Sequence, residues 1–311
     1  MANIQLLTVA TDIDRVHFKN WRRSARHAGW PDEQVVVLGA NQKWGGWPWR
    51  CKKIVEHCSS VAPNTIIVFC DSYDLLVFGN PTEFMNLFRR RGCDVLFGVD
   101  YLCCKRGFLN AIKPSCSGSV FKDRNVFING GGIIGRAHIL KHAYHYIGNM
   151  FGDDQIGWFD YVKKHRVYNR DAWHKYIADK KYPLNAKFCF DEGNEMIFNL
   201  MFGNHAVREP NQMGMYMKFL EMLFNPWRTT NIITGTDRPI IKGARPLMVH
   251  TPGIIADRGA RYNYVGMRFL PPDQFQRAGF TYGHISSLAY GSVILLIVIV
   301  VVIVTTARRR N

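Results

Sequence analysis

Short apolar runs alternate with amphipathic stretches through the first half of the chain. Phe84, Leu87 and Phe88 share one helical face, and the stretch that carries them ends in Gly92, which predicts a helix. The repeated order of strand, helix and strand predicts an α/β sheet with helices on both faces and ligands at the carboxyl ends of its strands. The apolar runs are rich in Val, Ile and Phe, as buried parallel strands are, and cover residues 34–39, 64–71, 93–100 and 125–135.

The two ends of the chain differ in their hydrophobic pattern. Residues 1–18 lack a basic leader region, and Thr8 and Asp12 interrupt their apolar run, which predicts a first buried strand and no signal peptide. Residues 285–307 are 23 residues without a charge. As a helix at about 1.5 Å per residue they would span roughly 34 Å, enough to cross a bilayer. We therefore expect one C-terminal transmembrane helix.

Two membrane topologies are compatible with this pattern. Arg308, Arg309 and Arg310 directly follow the apolar run and favour a cytoplasmic tail with the domain on the far side of the membrane. A tail anchor inserted after synthesis would instead leave residues 1–284 in the cytosol. The sequence thus predicts a single-pass membrane protein with a globular domain over 1–255, a polar stem over 256–284, a transmembrane helix over 285–307 and a basic tail over 308–311.

The composition, 47% hydrophobic and 21% charged, is that of a globular chain and excludes wholesale disorder. The net charge is +16, and removing the last three of the 40 basic residues leaves 37 against 24 acidic ones. Such a domain attracts polyanions, including nucleotide diphosphates and nucleic acid. The basic residues are spread along the chain without a nucleic-acid-binding signature, so we expect no nucleic-acid partner. Eight cysteines without CxxC spacing argue against a structural zinc site.

A pair of carboxylates follows the most apolar run of the domain. Asp71 and Asp74 stand three residues apart where the run IIVFC ends. Carboxylates so placed can converge on one hard divalent cation, which can in turn bridge the phosphates of a nucleotide and neutralise a leaving diphosphate. The alternative is an ordinary strand end with an aspartate cap, and the motif alone leaves both open.

Other polar groups follow apolar runs, and each has a structural alternative. Asn129 precedes three glycines that let backbone approach a ligand but are also common in turns. Asp153 and Asp154 precede an aromatic helical stretch, where carboxylates commonly cap helices. His250 ends an apolar run, and a single histidine is more often structural than a ligand. The chain has no P-loop, GxSxG or HExxH motif and no GxGxxG after its first strand, so kinase, hydrolase, zincin and dehydrogenase functions lose support.

These motifs occur in a recognisable order: FCDSYDLLVFGNPTEF, INGGGIIG, DDQ and then VHTPG. The set resembles the glycosyltransferase domain of the procollagen lysyl hydroxylases, from about Val35 to Gly253. The resemblance implies a GT-A-like, Rossmann-like fold, a Mn²⁺ or Mg²⁺ cofactor, and UDP-glucose or UDP-galactose as donor. It also implies transfer of the sugar to a hydroxyl group of a protein or glycan, for which hydroxylysine of a collagen-like protein is a candidate.

The resemblance also assigns roles to the residues of these motifs. Asp71, Asp74 and His250 match the residues of the family that bind the metal. Tyr73 matches the tyrosine that contacts the nucleotide. An aromatic residue that stacks on uracil is expected after Gln42 and Lys43, with Trp49 as the choice and Trp44 and Trp47 as alternatives.

A second group of residues matches the part of the family's site that faces the sugar and the acceptor. Asn129 and the glycines Gly130, Gly131 and Gly132 match its Asn-Ser-Gly-Gly turn. Asp153, Asp154 and Gln155 match its acidic run. The resemblance therefore implies a catalytic role for Asn129, Asp153 or Asp154, and donor contacts for the three glycines.

One departure from the family pattern leaves a second function open. The family has a Cys-Trp-Pro sequence whose tryptophan lies at the mouth of the donor pocket, and this chain has Cys103-Cys104-Lys105 there. The predicted function is a membrane-anchored, metal-dependent glycosyltransferase. The alternative is a catalytically inactive, lectin-like or attachment module with the same fold.

Overall fold

The computed structural model describes residues 3–100, 127–150, 154–167, 186–199, 232–233, 238–241, 243–251, 262 and 265–277. Its strands are β1 (Ile4–Val9), β2 (Val35–Leu38), β3 (Ile66–Cys70), β4 (Leu75–Val77), β5 (Val95–Asp100), β6 (Phe127–Arg136), β7 (Phe188–Phe190), β8 (Ile197–Asn199), β9 (Ile232–Ile233), β10 (Ile240–Ile241) and β11 (Met248–His250). Its helices are α1 (Val16–His27), α2 (Gly46–Ser60), α3 (Pro81–Arg91), α4 (Ala137–Met150) and α5 (Asp154–Val167).

A six-stranded sheet has the order β2-β1-β3-β6-β5-β7. β1 runs parallel to β2 and β3, as predicted. β5 runs parallel to β7, a strand that the sequence analysis did not identify. β6 is antiparallel to both of its neighbours, so the parallel direction predicted for residues 125–135 is wrong. The physical reason is that a continuous apolar run indicates burial on both faces, which β6 has, and carries no information on strand direction.

Alternate residues of β3 enter separate cores on the two faces of this sheet. Ile66 and Val68 pack in a core with residues of α1 and α3. Ile67 and Phe69 pack in a second core with residues of α2, α4 and α5. The prediction of helices on both faces is therefore confirmed, and the fold is mixed α/β.

Helix α3 confirms the helix predicted to end at Gly92, and the structure adds a capping box at its start. Its N-cap Asn80 accepts a hydrogen bond from the backbone N–H of Glu83, whose carboxylate accepts one from the N–H of Asn80. This reciprocal pair satisfies two N–H groups that the helix leaves free. The helix ends at Gly92, which adopts the left-handed conformation with φ of 57° that glycine favours.

A smaller sheet lies beside the first and has the order β4-β11-β8. β11 pairs antiparallel with β4 and parallel with β8. This pairing sets His250 opposite Leu75 on one side and opposite Asn199 on the other. The smaller sheet thus connects the C-terminal part of the described chain to the loop that follows β3.

Part of the segment predicted as a polar stem, residues 256–284, packs against the domain. Phe269 and Phe275 are buried in a core with Leu76 and Val249 of the smaller sheet. The side chain of Asn20 donates to the backbone oxygen of Gln276 and accepts from its N–H. The described residues 265–277 are thus part of the globular unit, because their aromatic side chains cover the smaller sheet.

No helix of the described residues is long and apolar enough to span a membrane. The predicted transmembrane segment 285–307 lies outside those residues.

Candidate metal and donor site

The ends of two strands position the carboxylates that the sequence predicts as metal ligands. Asp71 directly follows β3, and Asp74 directly precedes β4. The backbone oxygen of Asp74 accepts hydrogen bonds from the N–H and the hydroxyl group of Thr251, at 2.8 and 3.0 Å. These bonds fix the chain after β11 against Asp74, so that His250 lies beside both carboxylates.

Asp71, Asp74 and His250 form a compact group, which we call the Asp–Asp–His cluster. His250 Nε2 lies 3.4 Å from Asp74 Oδ2 and 3.9 Å from Asp71 Oδ2. One candidate ligand atom from each residue lies within 4.8 Å of the other two. An octahedral ion with donors at about 2.1 Å places adjacent donors about 3 Å apart, so the three side chains could supply half of its ligands after moving closer together.

The cluster is buried on one side and open on the other. The side chain of His250 is 3% exposed and that of Asp74 is 11% exposed, whereas that of Asp71 is 32% exposed. A ligand can therefore reach the cluster from the side of Asp71. The structure brings the three predicted metal ligands together, and their chemistry fits a hard or borderline divalent cation.

Asn199 orients the imidazole of His250, and the sequence analysis did not identify it. The Nδ2 group of Asn199 donates to the carbonyl oxygen of Val99 at 2.9 Å, so its Oδ1 faces His250 Nδ1 at 2.8 Å. His250 Nδ1 must then carry the proton and donate, which leaves the Nε2 lone pair directed at the carboxylates. In the neutral imidazole, this is the tautomer that coordination through Nε2 requires.

The glycine run lies against the cluster, within β6 rather than after a strand as predicted. The pairing of β6 with β5 moves from Ile133 to Asn129 between neighbouring residues of β5, so that Gly130–Gly132 form a bulge. A bulge supplies the additional residues without a turn, which is why the prediction placed the run outside the strand. A methyl group at Gly131 would lie 2.3 Å from His250 Cε1. Glycine is therefore required for His250 to approach β6.

Asn129 is near the cluster through the same bulge. Its side-chain oxygen accepts a hydrogen bond from the N–H of Gly131 at 2.7 Å, and the carbonyl oxygen of Gly131 accepts one from the N–H of Asp71 at 3.1 Å. The structure thus places Asn129 and the glycines beside the carboxylates. Their predicted contacts with donor and acceptor stay predictions.

Arg50 links two of the predicted carboxylates and was also missed from the sequence. Its Nη2 lies 2.7 Å from Asp71 Oδ1, and its Nη1 lies 3.7 Å from Asp154 Oδ2. Burial opposes the charge on this guanidinium, but the carboxylates of Asp154 and Asp71 outweigh it and raise the pKa of Arg50 above its ordinary value. An arginine in the first half of α2 carries no motif, so only the tertiary contacts identify it.

Asp154 is the first residue of α5 and is 4% exposed. Its place in the first turn agrees with the structural alternative, in which the carboxylate stabilises the start of a helix by interacting favourably with the helix dipole. Its ion pair with Arg50 also connects it to Asp71. Asp153 and the side chain of Gln155 lie outside the described residues.

The residues predicted to contact the nucleotide lie in the loop after β3 and around the start of α2. The hydroxyl group of Tyr73 accepts a hydrogen bond from the backbone N–H of Asp12 at 2.8 Å. Trp49 packs on the loop before α2, where a methyl group at Gly39 would lie 2.5 Å from its ring. Trp44 and Trp47 are 45% and 36% exposed and contact each other edge to face. Trp44 contacts the rings of both Trp47 and Trp49, so the three candidates for uracil stacking form one aromatic group.

Comparison with curated proteins gives partial matches to collagen-modifying enzymes. Procollagen-lysine,2-oxoglutarate 5-dioxygenase 1 of Bos taurus is 28% identical over 163 residues, which are 50% of this chain and 21% of that protein. The multifunctional procollagen lysine hydroxylase and glycosyltransferase LH3 of Rattus norvegicus is 28% identical over 166 residues, 49% of this chain and 21% of that protein. The chain thus spans about a fifth of the length of these relatives.

Solved glycosyltransferases show a distant structural likeness. One, involved in the glycosylation of the major capsid of PBCV-1, has a TM-score of 0.43 at 10% identity and covers 85% of this chain and 99% of its own. The galactosyltransferase LgtC, in complex with donor and acceptor sugar analogs, has a TM-score of 0.41 at 10% identity and covers 87% of this chain and 98% of its own. The family assignment therefore depends on the sequence match.

A family model described as the PLOD GT domain matches residues 1–161, just over half of the 311 residues. This range includes Asp71, Asp74, the glycine run and Asp154, and His250 joins them through the pairing of β11 with β4. The predicted resemblance to the procollagen lysyl hydroxylase glycosyltransferase domain is confirmed, and the chain belongs to the PLOD GT domain family.

Proposed function

We propose that the protein is a metal-dependent glycosyltransferase of the GT-A type that moves glucose or galactose from a UDP-sugar to a hydroxyl acceptor. The observation that carries the proposal is the convergence of Asp71, Asp74 and His250 within 4.8 Å at the end of β3. In a chain of a glycosyltransferase family, this group of ligands beside the carboxyl end of a parallel strand is where a metal and a nucleotide would meet.

The Asp–Asp–His cluster would hold Mn²⁺ or Mg²⁺. Carboxylates suit both ions, and the imidazole favours Mn²⁺ as the softer of the two. When bound, the ion supplies positive charge that offsets the charge developing on the departing UDP. Asn199 keeps the lone pair of His250 Nε2 directed at the site, and Arg50 holds one oxygen of Asp71.

The donor nucleotide would lie on the exposed side of Asp71. Tyr73 is hydrogen-bonded to Asp12, and Trp47, at the start of α2, lies next to Arg50. We assign the nucleotide contact to Tyr73 and retain Trp49 as the candidate for uracil stacking. His250 and Ile197 occupy the positions that side chains would take at Gly131 and Gly132, so the donor contact proposed for Gly130–Gly132 is a backbone contact carried over from the family resemblance.

The acceptor side of the site is assigned from the family alone. Asn129 and Asp153 are proposed to orient the acceptor hydroxyl or to stabilise positive charge on the sugar ring. Asp154 is buried and paired with Arg50, which favours an indirect role for it. The relatives' names include procollagen lysine hydroxylase, so a protein hydroxyl such as that of hydroxylysine is the proposed acceptor.

We also propose that residues 285–307 anchor the protein in a membrane as a single C-terminal helix. The 23 uncharged residues followed by three arginines support this anchor. Alkaline carbonate extraction of expressing cells tests it: the full chain should stay in the membrane pellet, and a chain that ends before residue 285 should not. Recovery of the full chain in the supernatant would overturn the anchor.

The enzymatic proposal is tested with the full chain purified in mild detergent. UDP-glucose and UDP-galactose are supplied with Mn²⁺, Mg²⁺ or EDTA, and released UDP is measured. We expect UDP release that needs the metal and that Asp71→Asn and Asp74→Asn abolish. Asp14→Asn is the matched control, because the Asp14 side chain is 88% exposed and pairs with Lys19.

Two results would overturn the enzymatic proposal. One is UDP release by Asp71→Asn and Asp74→Asn at the rate of the Asp14→Asn control. The other is binding of glycan without any metal-dependent affinity for UDP, which would instead support the inactive, lectin-like module. Cys103-Cys104-Lys105, the departure that suggests this alternative, lies outside the described residues.

A further inference from the structure

We propose that Arg50 is a positioning residue that connects Asp154 to Asp71 and directs one oxygen of Asp71 at the metal. This inference depends on the metal site of the proposed function and deepens it. It assigns a role to an arginine that no motif identifies, and it gives Asp154 an indirect role through Arg50.

The two oxygens of Asp71 have different partners. Oδ1 accepts a hydrogen bond from Arg50 Nη2 at 2.7 Å, whereas Oδ2 lies 3.9 Å from His250 Nε2. A charge-assisted bond of this length fixes the carboxylate plane. Because Oδ1 is held, Oδ2 is presented to the position that Asp74 and His250 also face. Without Arg50, rotation of the Asp71 side chain would remove that oxygen from the cluster.

Arg50 is itself held in place from several elements. Its guanidinium carbon lies 4.8 Å from the centre of the Phe69 ring on β3 and 5.2 Å from that of Trp47. Asp154, at the start of α5, lies 3.7 Å from its Nη1. The side chain is 8% exposed. A group fixed by two rings and two carboxylates can transmit its position to Asp71.

Charge and geometry make opposite predictions for this arginine. The positive charge of Arg50 repels a cation bound at Asp71, so by charge alone its removal would strengthen metal binding. If Arg50 acts by positioning, its removal weakens binding despite the loss of repulsion. Lysine separates the two effects, because it keeps the charge but has a single ammonium group in place of the planar fork that contacts both carboxylates.

The test measures Mn²⁺ affinity of the full-length protein from the electron paramagnetic resonance signal of free Mn²⁺. We expect Arg50→Lys and Arg50→Met to raise the Mn²⁺ dissociation constant about 10- to 100-fold, the usual effect of losing a group that orients a metal ligand. Arg26→Lys is the matched control, because Arg26 also pairs with a carboxylate, through two hydrogen bonds to Asp32 on the surface. Unfolding temperatures in EDTA verify that each variant is folded.

A double-mutant cycle tests the connection to Asp154. Asp154→Asn should weaken Mn²⁺ binding by a smaller factor and should cause no further loss when Arg50 is already methionine, because the effect passes through Arg50. If the Arg50 variants do not fold, Asp154→Asn alone decides: unchanged Mn²⁺ affinity in that variant would contradict the positioning role.

The outcomes separate this inference from the proposed function. Wild-type Mn²⁺ affinity in Arg50→Lys, or tighter binding in Arg50→Met, overturns the positioning role and leaves the metal site intact. Failure of the wild-type chain to bind Mn²⁺ overturns the proposed function together with this inference.

Discussion

His250 Nδ1 and the side-chain oxygen of Asn199 are 2.8 Å apart, at a single register position of β11 and β8. The contact is buried, and Asn199 has a fixed orientation because its Nδ2 group bonds to the carbonyl oxygen of Val99. A residue that is distant in sequence from the carboxylates therefore determines which nitrogen of His250 faces them.

Asn199→Ala should raise the Mn²⁺ dissociation constant about 10- to 100-fold, because His250 loses the acceptor that fixes its tautomer and ring orientation. Asn199→Asp keeps an acceptor for Nδ1 but loses the Nδ2 bond to Val99, so it should retain more of the affinity than Asn199→Ala and less than the wild type. Titration with Mn²⁺ measures both variants. Equal losses of Mn²⁺ affinity in the two variants would show that Asn199 acts by packing rather than by accepting the hydrogen bond from Nδ1.

Gly131→Ala should displace His250, because the added methyl group would lie 2.3 Å from His250 Cε1 and 2.8 Å from Nδ1. We expect a loss of about 1–3 kcal/mol in the free energy of unfolding, typical of overpacking, together with weaker Mn²⁺ binding. Gly132→Ala is the matched control. Its methyl group would meet Ile197 Cδ1 at 2.5 Å and should cost stability without moving the metal ligand.

Denaturant unfolding and Mn²⁺ titration of the two variants distinguish these effects. Comparable Mn²⁺ affinity in Gly131→Ala and Gly132→Ala would contradict the view that the absence of a side chain at position 131 makes room for His250.

The elements that the sequence predicts best are those with local causes. β3 is predicted because its residues form a continuous apolar run, and α3 is predicted because Phe84, Leu87 and Phe88 share a helical face in a stretch that ends at Gly92. Asp71 and Asp74 could be identified because they directly follow an apolar run. The direction of β6 could not be predicted, because strand direction depends on the path of the chain and not on the pattern of hydrophobic residues.

The residues that the sequence did not identify act through distant contacts. Arg50 is 21 positions from Asp71, and Asn199 is 51 positions from His250. Neither residue lies in a recognisable motif. Asn199 is in β8, which is only three residues long, so its register with β11 could not be inferred from the sequence. The bulge in β6 has a similar cause, because its glycines accommodate side chains from another sheet.

The aromatic residues after His250 belong to the domain core and not to a solvated stem, so their removal should destabilise the domain. Phe269 is 6% exposed and contacts Phe78. Phe269→Ala should lower the free energy of unfolding by about 3–5 kcal/mol, as the loss of a buried phenylalanine does. Met267→Ala is the matched control. Met267 is 46% exposed, so its replacement should change stability by less than about 0.5 kcal/mol.

Denaturant unfolding of the full-length protein measures the free energy of unfolding of Phe269→Ala and Met267→Ala. If both substitutions have the same small effect, the segment is a stem in solution.

Buried thiols should make the protein less stable at high pH. Burial raises the pKa of the Cys51, Cys58 and Cys70 thiols to about 12, from an ordinary value near 9. The nearby carboxylate of Asp154 also contributes to the rise at Cys51. Between these values the unfolded chain loses thiol protons that the folded chain keeps, so ionisation favours the unfolded state.

Stability should therefore be intact below pH 9 and should fall as pH rises from about 9 towards 12. At pH 10 each thiol is expected to account for about 1 kcal/mol of the loss. Urea unfolding under reducing conditions at pH 7.5 and pH 10 measures the difference for the wild type and for Cys58→Ala. The alanine variant should be less stable at both pH values because the substitution leaves a cavity. Its free energy of unfolding should, however, fall by about 1 kcal/mol less between pH 7.5 and pH 10 than that of the wild type, because it has one buried thiol fewer. An identical loss in the two proteins would show that Cys58 ionises as readily in the folded chain as in the unfolded one.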